Sequence, residues 1–149
     1  MATISSAAAK DLVEPMQLLL RELLKDDNSD VYLEALNLLK FMVGSLATHL
    51  SALDLHLMMG QFISLTVTNA SSANMRIRVA SDKVIIFFAK HGNIGSYIVA
   101  KEVVKNVERT NHGIKATPPA SMSAEEIQSD QTTKKDLLVR HYNILHMLL

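Results

Sequence analysis

Apolar residues recur along the chain with helical spacing. Leu12, Met16, Leu19, Leu20, Leu23 and Leu24 fall three and four apart, which makes one apolar stripe and predicts a first helix over about 7–25. Pro15 lies inside that pattern, where it either kinks the helix or marks its true first turn. The tract Asp26-Asp27-Asn28-Ser29-Asp30 breaks the periodicity and supplies N-cap residues. A second helix follows over about 30–44, with Val31, Leu33, Leu36, Leu38, Leu39 and Met42 as core candidates and Gly44 as its end. Ser51-Ala-Leu-Asp54 resembles a capping box and opens a third helix over about 52–69, with Leu55, Met58, Met59, Phe62, Ile63 and Leu65 inward. Ile77, Ala80, Val84, Ile85, Phe87 and Phe88 define a fourth over about 73–90. Tyr97, Ile98, Val99, Val103, Val104 and Val107 define a fifth over about 95–110. The 111–133 segment holds Pro118, Pro119 and few large apolar residues, and reads as a long, partly disordered loop in which Ser123-Ala-Glu-Glu126 caps one short turn. A sixth helix is expected from about 134 to the end, on Leu137, Leu138, Ile144, Leu145, Leu148 and Leu149.

Local propensity leaves one alternative open. Met75-Arg-Ile-Arg-Val79 alternates, and Val84-Ile-Ile-Phe-Phe88 and 63–67 are strand-friendly, so an α/β core is a rival. An internal repeat favours helix. At an offset of 46 residues Val31 aligns with Ile77, Ala35 with Ser81, Leu38 with Val84, Leu39 with Ile85 and Phe41 with Phe87. A two-helix unit of about 40–47 residues is the period of HEAT and armadillo arrays. The resulting expectation is all-α: an α-solenoid of HEAT-like helical hairpins, two complete hairpins with a flanking helix at each end. Such arrays bury their core between neighbours. The apolar flanking helices therefore predict a piece of a longer array, or self-association through the terminal helices.

NSDVYLEALNLLKFMVG over 28–44 and NMRIRVASDKVIIFFAKHGNIG over 74–95 resemble consecutive first helices of HEAT repeats in TOG domains. They are most similar to those of centrosomal and ciliary-tip proteins, and the same architecture occurs as a concealed module in large signalling kinases. The resemblance covers about two-thirds of the chain. It implies binding of the tubulin heterodimer through the turns within each hairpin, here 44–51 and 90–95, and a cytoplasmic place at the cytoskeleton, centrosome or cilium. The partner-binding residues it implies are Thr48, His49, Lys90, His91 and Asn93. The chain also departs from the pattern. TOG domains normally carry an aromatic, often Trp, in the first turn, and this chain has no Trp. They normally have about six repeats and line the later turns with basic residues.

Composition narrows the function classes. Lys plus Arg and Asp plus Glu each number 15, giving no net charge, which argues against general nucleic-acid binding. Without cysteine there is no disulfide, thiolate site or cysteine nucleophile. The start, MATISSAAAK, lacks the basic and apolar regions of a signal peptide, and no apolar run reaches membrane-spanning length. None of the five glycines builds GxGxxG, GxxxxGK[ST] or GxSxG. His141 and His146 lie five apart, which splays them around a helix, and no HExxH is present. The expectation is a non-enzyme without cofactor or metal.

Other features read most simply as structural. Lys90-His91-Gly92-Asn93 suits a C-terminal cation on the helix dipole with Gly92 or Asn93 at positive φ. Lys101, Lys105 and Arg109 share one face of the fifth helix, diluted by Glu102 and Glu108, and read as a solvated stripe. Arg76, Arg78 and Lys83 suit links between neighbouring repeats. Met58 and Met59 suit the core. Thr117-Pro118 is a minimal proline-directed phosphorylation motif. The rival to tubulin binding is a structural scaffold that acts through the outer faces of its terminal helices.

Overall fold

Asn28 and Asn74 begin two helices in the same way. Each has extended backbone, at φ −73°, ψ 115° and φ −73°, ψ 112°, and each side-chain oxygen accepts the N–H two residues on, from Asp30 at 2.9 Å and Arg76 at 3.0 Å. The 46-residue offset read from apolar positions is thus repeated in the caps. The computed structural model describes residues 6–115 and 121–148. These form six helices and no strand: α1 Ser6–Leu23, α2 Ser29–Leu46, α3 Ala52–Asn69, α4 Met75–Lys90, α5 Gly95–Lys115 and α6 Ala124–Leu148. The strand-friendly runs at 63–67, 75–79 and 84–88 are all helical, which removes the basis for the α/β alternative. Thr117-Pro118 lies outside the described residues.

Helix α1 lies against α2, α2 against α4, α3 against α4 and α5, α4 against α5 and α6, and α5 against α6. Their inward stripes form one core. Leu20 and Leu24 come from α1 and the turn after it, Leu36, Leu39 and Met42 from α2, and Met59, Phe62 and Ile63 from α3. Ile85 and Phe88 come from α4, Val99 and Val103 from α5, and Ile144 from α6. Each such side chain contributes about 1.5–3 kcal/mol by leaving water.

Polar contacts fix the direction of stacking. At the start of α4 the Arg76 guanidinium reaches Asp30 at 2.8 Å and Ser29 at 3.1 Å, both at the start of α2. Deeper in, the Tyr32 hydroxyl meets Ser81 Oγ at 2.7 Å, and Ser81 donates to the Ile77 carbonyl at 2.8 Å. A hydroxyl has one proton, so Tyr32 is the donor. Helices α2 and α4 are therefore parallel. The same holds for α3 and α5, where Gly60 lies against Glu102 and, one turn further along, Asn106 and Arg109 approach Ser64 Oγ at 3.3 and 3.5 Å. Asn69 at the end of α3 donates to the Leu24 carbonyl at 2.8 Å, tying it to the end of α1. Helix α6 is held by Arg140, which donates to the Ala70 carbonyl at 2.7 Å and pairs with Asp82 at 3.1 Å. Burial nevertheless raises the Asp82 pKa above the ordinary aspartate value, with Arg140 and Arg78 opposing it.

Several boundaries and inward assignments differ from the sequence reading. The 111–133 segment is not a long loop: α5 continues through 111–115 and α6 already begins at Ala124. Ser123 and Glu126 do not cap an isolated turn but start that long helix. The Ser123 N–H bonds Glu126 Oε2 at 2.7 Å and the Glu126 N–H bonds Ser123 Oγ at 3.2 Å, a reciprocal box. Gly44 lies inside α2, which runs to Leu46, and Pro15 lies inside α1 rather than in its first turn. Leu12, Leu19, Phe87, Tyr97 and Val104 were expected inward and are exposed. The two leucines sit on a face of α1 that no described helix covers, and the other three fall beside the buried stripes of their helices.

Candidate functional site

Parallel α2 and α4 bring their C-terminal ends, and the turns that follow, to one edge of the molecule. After α2 the backbone turns through 47–51, with Ala47 N–H on the Val43 carbonyl at 3.0 Å and His49 N–H on the Leu46 carbonyl at 2.9 Å. Buried Ala47 anchors this turn, Thr48 is exposed and His49 half-buried. After α4 the chain turns through 91–94. The His91 carbonyl accepts from Ile94 at 3.0 Å and Gly95 at 2.9 Å, and buried Ile94 anchors the turn. Lys90 and Asn93 are exposed and His91 is half-buried. The Asn93 N–H faces His91 Nδ1 at 3.4 Å, and the His91 ring lies 5.9 Å from that of Phe87. All five expected partner-binding residues, Thr48, His49, Lys90, His91 and Asn93, thus lie in the two turns of this edge or at the helix end beside them.

The turn chemistry differs in one respect from the expectation. Neither Gly92 nor Asn93 has positive φ. That conformation falls to Gly95, at φ 78°, the first residue of α5. A side chain there would be strained, so Gly95 sets the sharp entry into α5.

Two features along α2 and α4 escaped the sequence reading as surface elements. Phe41 is 69% exposed and Phe87 37% exposed, at equivalent positions of the two stacked helices. Phe41 falls outside the stripe Leu36, Leu39, Met42, Val43, which was the available signal. Between α2 and α4 a groove of about 470 Å³ is lined by Leu33, Met75, Val79 and Val84 with Lys40 and Lys83 on its walls.

On the far side a second groove, of about 680 Å³, lies between α3 and α5 and reaches α1. The stripe Lys101, Lys105, Arg109, exposed as expected, forms part of its wall. Sequence spacing placed the three together, but nothing in it indicated that Arg21 and Lys25 of the α1 end join them.

Among the described residues no three His, Asp or Glu side chains converge to hold a metal ion. No described helix is long and apolar enough to cross a membrane. Buried His141 has neither ring nitrogen bonded, and burial holds its pKa below the ordinary value. Comparisons with protein-family models, curated proteins and solved structures found no match to this chain.

Proposed function

We propose that this chain is a non-catalytic protein-interaction module, an α-solenoid of HEAT-like hairpins of the TOG type, which presents its intra-hairpin turns to a folded partner. One observation carries the reading: equivalent helices 46 residues apart stack in parallel, with like N-caps, so that two short anchored turns share one edge. The first partner to test is the tubulin heterodimer. Its capture would recruit a larger protein to microtubules and place the module in the cytoplasm, at the cytoskeleton, centrosome or cilium. Exposed Phe41 and Phe87 supply aromatic surface beside the turns in a chain without Trp.

The test is size-exclusion chromatography with light scattering of the chain mixed with tubulin, at low and at physiological salt. Co-elution at a defined stoichiometry is expected. Lys90→Glu should weaken it about fivefold to tenfold while leaving helical circular dichroism unchanged, because an exposed rim charge steers association without supporting the core. Separate elution of the wild-type chain would remove tubulin from the reading.

A second reading, a scaffold without tubulin affinity, has its own observation. Leu12, Leu18 and Leu19 on α1 and Val139, Tyr142 and Met147 on α6 are exposed. In this reading those faces make the contacts, and light scattering against concentration is the measurement that separates the two.

A further inference from the structure

Five basic side chains from opposite ends of the sequence converge on the groove between α3 and α5. Along α5, Lys101, Lys105 and Arg109 stand one turn, about 6 Å, apart. Arg21 and Lys25 enter from the end of α1. Two carboxylates oppose them. Glu102 is buried on the floor and pairs with Lys105, and exposed Glu22 pairs with Lys25 at 3.0 Å and Arg21 at 3.5 Å. The cations outnumber them, so a chain of zero net charge has segregated positive charge into one concave strip. The end of the strip nearer the turns is apolar. Leu53, Leu57 and Tyr97 stand there 67%, 66% and 77% exposed.

We propose that this groove binds an acidic segment of a partner protein. The segment's carboxylates lie against Lys101, Lys105 and Arg109 on one wall and Arg21 and Lys25 at the far end. A large apolar side chain of the same segment covers Leu53, Leu57 and Tyr97. Carboxylate recognition suits Arg and Lys heads that keep free N–H donors. A protein segment fits better than a nucleic acid because two leucines at one end have no counterpart on a phosphate backbone. The overall neutral charge also provides no extended field for a polyanion. Lys90 and His49 do not line the groove, so this proposal stands apart from the turn-edge reading.

Fluorescence anisotropy with the full chain tests it. The probe is a short labelled peptide of glutamates flanking one leucine. The comparison probes carry glutamine for glutamate or serine for leucine, and a labelled oligodeoxythymidylate stands for nucleic acid. The glutamate peptide should bind at low salt and weaken as salt rises. The glutamine peptide should lose binding, and the serine peptide should bind severalfold more weakly. Lys101→Glu/Arg109→Glu changes two exposed residues and should weaken the glutamate peptide at least tenfold with unchanged circular dichroism. Lys90→Glu should leave this binding unchanged, so failure here and failure at the turn edge are separate results. No binding of the glutamate peptide, or equal binding by the double variant, would overturn the proposal. So would tighter binding of the oligonucleotide that is lost in the double variant, which would give the groove to nucleic acid instead.

Discussion

At the scale of single residues, the polar groups inside the core show what holds the stacked helices in register. Tyr32 is fully buried, and its hydroxyl is served by Ser81 across the α2–α4 contact. Tyr32→Phe should cost about 1 kcal/mol in a urea melt, the usual net worth of one internal hydrogen bond. A loss close to zero would mean that the hydroxyl is equally well served by water in the unfolded chain. The repeat alignment placed Ser81 opposite Ala35 and gave it no polar role. Its role as acceptor for Tyr32 was not legible, because spacing within a sequence does not reveal which side chain arrives from a neighbouring helix. His141 is the contrasting case, buried on α6 with no partner for either nitrogen. Burial holds its pKa below the ordinary 6.5. Above 6.5 both folded and unfolded chains carry it neutral, and its full contribution to stability is present. As pH falls the unfolded chain takes up the proton first, and stability is lost as pH falls through the lower folded value. His141→Leu should therefore raise stability at neutral pH and flatten its decline on the acid side of 6.5, measured by urea melts at stepped pH. An unchanged pH slope would assign the acid sensitivity to other groups.

At the scale of elements, the sequence was clear where one apolar stripe defines a helix and poor where it does not. Helices α2, α3 and α4 have strong inward stripes and Asn or Ser caps, and their positions follow from those signals within two residues. The first half of α6 escaped because 124–136 contains Ile127 as its only large apolar residue. That half stands on its reciprocal Ser123–Glu126 cap, on Thr132 and Thr133 bonding carbonyls one turn back, and on Lys134, which pairs with Asp130 and donates to the Gly113 carbonyl of α5 at 3.2 Å. The Ser123 backbone N–H holds the Glu126 carboxyl below the ordinary glutamate value. Apolar periodicity cannot see such a helix, whereas its cap was visible and was assigned too short a reach. Ser123→Ala should cost about 1 kcal/mol and speed amide exchange selectively over the first turns of α6. Uniform exchange across α6 in the variant would show that packing on α5, not the cap, starts the helix.

The whole molecule presents three kinds of exposed feature: an edge of anchored turns, a basic groove, and apolar faces on α1 and α6. The two turns were legible to within two residues, since each follows a helix whose end the apolar pattern approaches, whereas the choice of residues in them came from the resemblance. The groove was legible only as the α5 stripe, because its other cations arrive from α1 through the tertiary arrangement. The apolar faces lead to the last prediction. Leu12 and Leu19 lie seven residues apart on one face of α1 with Leu18 beside Leu19, and all three are exposed, apolar surface of the kind that marks a contact. If that surface pairs with a second copy, sedimentation velocity should show mass rising with concentration, and Leu18→Glu/Leu19→Glu should hold the chain monomeric. The substitution lies outside the core cluster, so the melting midpoint of the monomer should change little. A wild-type chain that stays monomeric at high concentration, with an unchanged profile in the double variant, would mean that the surface meets a different partner, and the scaffold reading would lose its self-association branch.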